Sequence, residues 1–127
     1  MAMRDGWEIT KERPRATRPG PRVYVSLNKR GEIAMNAEAF RRIKRPASVA
    51  LLYDPNQRRI GVKFPVAMDR NFFPVRPYGR NRRMRIVRAA RMLKQFGIKI
   101  EHTLIFKNSE TQNLNGEPML VLKLDEG

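Results

Sequence analysis

Four guanidinium groups fall within six positions, Arg80, Arg82, Arg83 and Arg85, and Arg88 follows three residues later. Arginine carries a planar, permanently charged fork that can meet phosphate oxygens or a guanine edge with two hydrogen bonds, so the spacing points to a polyanion. Cations this close repel one another unless an anion lies between them. Lys29-Arg30-Gly31 forms a second, sparser basic turn. Catalytic chemistry is short of parts. With no cysteine, disulfides, thiolate metal sites and Cys nucleophiles are excluded. The one histidine, His102, lies between Glu101 and Thr103 at an expected strand entrance and leaves Ser-His relays and His-based metal sites incomplete. Asp54 and Asp69 stand apart, each beside turn residues where Asp serves the backbone. The expectation is a protein without enzymatic activity, cofactor or metal.

The rest of the composition agrees with a polyanionic partner. Over 127 residues, 27 Lys plus Arg stand against 12 Asp plus Glu, a formal charge of +15. Charge of this size speaks of partners rather than of fold. No run reaches the roughly 18–20 apolar residues of a membrane span, and residues 1–10 lack the apolar core of a secretory signal. A cytoplasmic protein with no membrane partner is expected, and nucleic acid is favoured because no basic amphipathic helix carries an aromatic-rich apolar face. Residues 70–99 hold ten basic and no acidic residues, whereas residues 100–127 reverse sign, with Glu101, Glu110, Glu117, Asp125 and Glu126 against Lys107 and Lys123.

The elements that must position these residues can be read from periodicity. Residues 1–22 mix Arg4, Lys11, Arg13, Arg15, Arg18 and Arg22 with Pro14, Pro19, Gly20 and Pro21, and are expected to be a flexible basic arm. Val23, Val25 and Leu27 alternate with Tyr24 and Ser26, and after the turn Ile33 and Met35 resume the alternation, which predicts a β-hairpin. Asn36 suits an N-cap, and Ala39, Phe40 and Ile43 follow at helical spacing up to about Lys44, with Pro46 beyond. Residues 49–53 and 59–64 then form a second hairpin around Asp54-Pro55-Asn56-Gln57.

The order hairpin, helix, hairpin recurs about fifty residues later. Residues 73–76, a basic turn containing Gly79, residues 84–87, a helix ended by Gly97, and strands at 103–106 and 119–124 form the second set. The connection over residues 107–117 is expected to be a mobile loop. Phe72, Phe73 and Tyr78 are expected to pack in the core or between repeats, the alternative being that they stack on exposed bases between basic residues, as in single-strand binders. The fold class is α+β: an arm (1–22) and two repeats (23–64 and 65–127) sharing one β-rich, barrel-like core. As a duplicated pair, the repeats would bring their equivalent hairpins together and both basic turns to the same side as one binding face.

Residues 23–41, followed by Val49-Ala50-Leu51-Leu52-Tyr53 and Arg59-Ile60-Gly61-Val62, resemble the AbrB/SpoVT and MraZ DNA-binding fold: strand, basic turn, strand, short helix, two strands. The resemblance is best over residues 23–64 and reaches the C-terminal half only through the proposed duplication. It implies a pseudo-dimer of swapped hairpins and a DNA-binding transcription regulator, with possible homo-oligomers. Lys29 and Arg30 would then contact nucleic acid, and Gly31, like Gly79 in the second turn, would serve turn geometry. The chain departs from the family where Asn36 replaces a common Pro and where Tyr78-Gly79-Arg80-Asn81-Arg82-Arg83 replaces the Lys-x-Gly turn. Charge alone leaves two alternatives open: an RNA-binding or ribosome-associated protein, and an antitoxin-like interaction module using the acidic C-terminal segment.

Overall fold

Alternation of apolar and polar residues gives strands β1 (Tyr24–Leu27) and β2 (Glu32–Met35), which pair antiparallel and send Val25, Leu27, Ile33 and Met35 to one fully buried side. The computed structural model describes residues 22–67, 69, 71–107 and 109–126; the expected arm over 1–21 lies outside them. Asn28 organises the turn. Its Oδ1 accepts from the amides of Arg30 and Glu32, both at 3.0 Å, while its carbonyl accepts from Gly31. Gly31 takes φ +81°, a conformation that favours glycine.

Asn36 caps helix α1 (Ala37–Arg42), its Oδ1 accepting from the Ala39 amide at 2.9 Å. The same oxygen accepts from the Tyr24 amide, and Nδ2 donates to the Arg22 carbonyl at 2.7 Å, so the cap also fixes the entry to β1. Within α1, Glu38 receives three hydrogen bonds from Arg41 and Arg42, the shortest at 2.6 Å. Those bonds, Arg41 first, hold its carboxyl at about 2, well below its usual 4.5.

Strands β3 (Ser48–Asp54) and β4 (Arg59–Lys63) follow as the expected second hairpin. Asp54 accepts from the Asn56 amide at 3.0 Å and from Arg59 Nε at 2.9 Å, and the Arg59 bond leads in keeping its carboxyl below the ordinary range. Buried Lys63 donates to Asp69 at 2.8 Å and closes the connection to the next hairpin. Burial alone would raise Asp69, but Lys63 and the Val66 amide outweigh it and lower the carboxyl. The second set then runs β5 (Phe72–Tyr78), β6 (Met84–Arg88), α2 (Ala90–Gln95), β7 (Leu104–Lys107), β8 (Glu110–Leu114) and β9 (Glu117–Lys123), with a 3-10 turn at Leu124–Glu126. Residues 107–117, expected as a loop, instead contain β8, hairpinned to β9 through Asn115 and Gly116, both at positive φ. This Asn-Gly pair fits the two-residue turn that matches strand twist, and the turn rather than apolar content selects the strand.

The nine strands of the described residues form one curled antiparallel sheet in the order β7-β1-β2-β6-β5-β3-β4-β9-β8, with two short helices among the same residues, a β-rich α+β architecture. Hairpin β5–β6 lies between β2 and β3, and β7 returns to pair β1. One buried cluster draws on both halves of the chain, including Leu27, Ile33, Met35, Ile43, Ile60, Val87, Leu120 and Leu122.

A Cβ on Gly31 would lie 2.8 Å from the Ala90 Cα at the start of α2, and the Gly31 carbonyl accepts from Ala89 at 2.7 Å, so the turn is wedged against the second helix. Gly31→Ala is expected to cost about 2–4 kcal/mol in urea unfolding, from positive φ and overpacking together. Gly116→Ala, at φ +86° with open space around it, should cost only about 1 kcal/mol. Equal losses at the two sites would contradict the wedge. Because the folded-state value of Glu38 is depressed, its contribution is complete above pH 4.5 and fades as pH falls towards 2. The stability difference between the parent and Glu38→Gln should therefore be constant near neutrality and narrow over that acid window.

Candidate nucleic-acid interface

Where an antiparallel register is known, opposed residues share a face. Ile105, Ser26, Ala34, Ile86 and Arg76 stand opposite one another across β7, β1, β2, β6 and β5, and form one row on the outer face of the sheet. Lys107 with Tyr24, Met84 with Tyr78, and Glu32 with Arg88 lie on that same face. The opposite face carries Val25, Leu27, Ile33, Met35, Val87 and Phe106, all buried. Outside, by contrast, Arg76, Tyr78, Arg88, Ile105 and Lys107 are exposed, and only Ile86 is buried.

The basic turns flank this face. Lys29 and Arg30 are exposed at the β1–β2 turn, and Arg80, Arg82 and Arg83 at the β5–β6 turn. Asn81 Oδ1 accepts from the Arg83 amide at 3.2 Å, Gly79 takes φ +92° and Arg82 takes φ +59°, so the second turn projects its arginines on a tight backbone bend. The two turns do not lie side by side, contrary to the single turn face expected from the repeats. Strands β2 and β6 each follow their turn and pair antiparallel, Glu32 opposite Arg88 and Met35 opposite Arg85, so the hairpins point in opposite directions. At least four residues of ladder, about 13 Å, separate the turns along the strands. What they share is the outer face between them.

Of the residues singled out from sequence, Arg88 belongs to this surface, and no ion pair links Arg76, Arg80, Arg82, Arg83, Arg88 or Lys107 to a described carboxylate. Glu32 is the one acidic group on the face among the described residues, and Asn28 at 2.9 Å and Arg30 at 3.5 Å hold it. Arg85 departs from its neighbours. Lying on the inner side, it sets its guanidinium 4.9 Å from the Phe40 ring centroid and donates to the carbonyls of Arg82 at 2.7 Å and Met84 at 3.1 Å. At the other end of the strand pair, Arg91 sits 4.6 Å over the Phe73 ring.

Sequence reasoning missed Arg76 and Lys107 as members of the face; the alternation of Val75 with Arg76 was a signal in β5, whereas Leu-Ile-Phe-Lys in β7 has no polar-apolar alternation and offered none. It also expected Phe72 and Tyr78 to be packed. Phe73 is buried, but Phe72 and Tyr78 are 46% and 49% exposed on the outer side. His102 is exposed and takes no part in the site. No helix among the described residues is long and apolar enough to cross a membrane, and no cluster of potential metal ligands occurs among them. Compared with protein-family models, curated proteins and solved structures, the chain matches none.

These placements separate two arginines close in sequence. Arg85→Ala should lower stability by about 1–2 kcal/mol, through the lost ring contact and carbonyl bonds, while leaving the salt dependence of nucleic-acid binding unchanged. Arg88→Ala should do the reverse. Thermal melts and filter-binding titrations on the same preparations check both, and a binding defect without destabilisation in Arg85→Ala would contradict its structural role.

Proposed function

We propose that the protein is a non-enzymatic nucleic-acid-binding protein, a DNA-binding transcription regulator of the AbrB and MraZ kind built from two ββαββ repeats. Reciprocal strand pairing carries this reading. Taking β5, β6, α2, β7 and β9 as counterparts of β1, β2, α1, β3 and β4, equivalent strands pair with each other in β2·β6 and β4·β9. Each hairpin also pairs with the third strand of the other set, β1 with β7 and β5 with β3. That is the exchange a pseudo-dimer of swapped hairpins requires, with β8 an added strand in the second set. The antiparallel β2·β6 pair also accounts for turns at opposite ends, since a two-fold axis between those strands relates one end to the other.

Cation placement supports the same reading. A five-stranded face is about 19 Å across, too broad for a major groove about 12 Å wide, whereas a two-stranded hairpin tip fits. Arg80, Arg82 and Arg83 at one tip would meet bases or phosphates, and Arg88 with the other cations of the outer face, together with Lys29 and Arg30, would hold the backbone. A second reading, single-stranded RNA, is favoured by one observation: Tyr78 and Phe72 are exposed on the same outer face as Arg76, and exposed aromatic rings among cations are a surface on which unpaired bases stack.

Duplex binding through about five of these cations should give a slope of log affinity against log salt near −4 to −5. Replacing Arg82 and Arg83 together by Ala should reduce the slope by about two units, and should relax site preference as well if the turn reads bases. Tighter binding to single-stranded RNA than to duplex DNA at matched salt, lost in Tyr78→Ala, would select the second reading. A flat salt dependence would remove both.

A further inference from the structure

Strand β8 ends the sheet, and its outer side has no backbone partner among the described residues. The ladder of the β8–β9 hairpin fixes which groups are free. Counting from Leu114 and Glu117, which close the two-residue turn, hydrogen-bonded positions in β8 fall at 114, 112 and 110. Thr111 and Asn113 therefore turn their N–H and C=O to the open side. Pro118 lies opposite Asn113, at a position where its missing N–H takes nothing from the hairpin.

Most exposed edges are guarded by proline, lysine or a bulge. Over residues 110–114, Glu-Thr-Gln-Asn-Leu, there is no proline and no cation. Its one charge, Glu110, accepts from Gln112 at 3.2 Å and from Lys123 at 3.5 Å, and these contacts, Gln112 first, lower its carboxyl. The edge at the other end of the strand order, β7, ends in exposed Lys107, with two residues of chain between it and β8.

We infer that β8 is a self-association edge, on which a second copy of this chain pairs its own β8 antiparallel about a two-fold axis through Gln112. This register sets Thr111 opposite Asn113 of the second copy, and Asn113 opposite its Thr111. Both residues turn their backbone groups outward, so each of these two pairs exchanges two hydrogen bonds. Gln112 meets Gln112, and Glu110 meets Leu114, so no like charges are opposed. Charge also selects a second copy at this edge rather than elsewhere. A chain of net charge +15 repels itself over its basic face, whereas the β8–β9 hairpin holds Glu110 and Glu117 against Lys123 alone. Two copies meeting at β8 therefore bring no cation of that strand against another. This assembly is independent of the nucleic-acid reading.

Sedimentation equilibrium on the full chain, freed of nucleic acid by nuclease and high salt, tests the inference. The parent should form a concentration-dependent dimer. Asn113→Pro removes an outward donor without touching the β8–β9 ladder and should weaken the dimer about ten- to a hundredfold at unchanged melting temperature. Gln112→Lys opposes two ammonium groups across the axis and should also weaken it at low salt, and mixing Gln112→Lys with Gln112→Glu should restore association. Should Asn113→Pro fail to fold, the two Gln112 variants decide, each compared at its own melting temperature, since Gln112 is half-buried. A parent that remains monomeric at about 100 μM, or a Gln112→Lys variant that dimerises as tightly as the parent, would overturn the proposal.

Discussion

The antiparallel pairing of β2 with β6 is the constraint from which the rest of the arrangement follows. It brings Ile33 against Val87, both fully buried, at the centre of a nine-stranded sheet. Because both strands leave their turns before pairing, their hairpins must point apart. Each turn thereby reaches the helix of the other set: Gly31 presses on the start of α2, and Arg85, where β6 leaves its turn, lies over Phe40 of α1. The helices stay short because positive-φ backbone ends them, at Lys44 and Arg45 after α1 and at Gly97 after α2.

The same pairing sorts the charge. Residue parity along β5, β6 and β7 sends Arg76, Arg88 and Lys107 outward while the apolar partners of Ile33 go inward. Arg85, three residues from Arg88, falls on the opposite side and is held by an aromatic ring and two carbonyls. A basic run that reads as uniform along the chain thus divides into groups that hold the fold and groups that face solvent. The solvent-facing set is what any polyanion would meet first.

Much of the local structure was legible in sequence because it rests on local physics. The alternation over residues 23–35 specified a hairpin with one apolar face, and Asn36 marked a helix start through an oxygen that accepts a first-turn amide. Gly31 and Gly97 marked backbone at positive φ. What escaped is non-local or ambiguous in phase. Ile86 and Val87 are adjacent and apolar, as are Phe72 and Phe73, so neither pair reveals which member faces the core until the partner strand is known. That ambiguity concealed the exposure of Phe72 and Tyr78 and the inward placement of Arg85. The opposed directions of the two turns depend on which strands pair across some fifty residues of chain, information that no window of sequence holds. Strand β8 was read as a loop because Glu-Thr-Gln-Asn-Leu has the polarity of one, and only its turn gives it away.

The central claim, that the outer face of the β7-β1-β2-β6-β5 segment and the turns at its corners form a nucleic-acid interface, is tested most directly by backbone amide NMR during titration with a short oligonucleotide, duplex and single-stranded in turn. The account requires shifts to concentrate at Lys29, Arg30, Arg76, Arg88 and Lys107 and over residues 80–83, leaving β8 and β9 largely still. Shifts centred on the acidic β8–β9 hairpin, or none at saturating oligonucleotide, would contradict it.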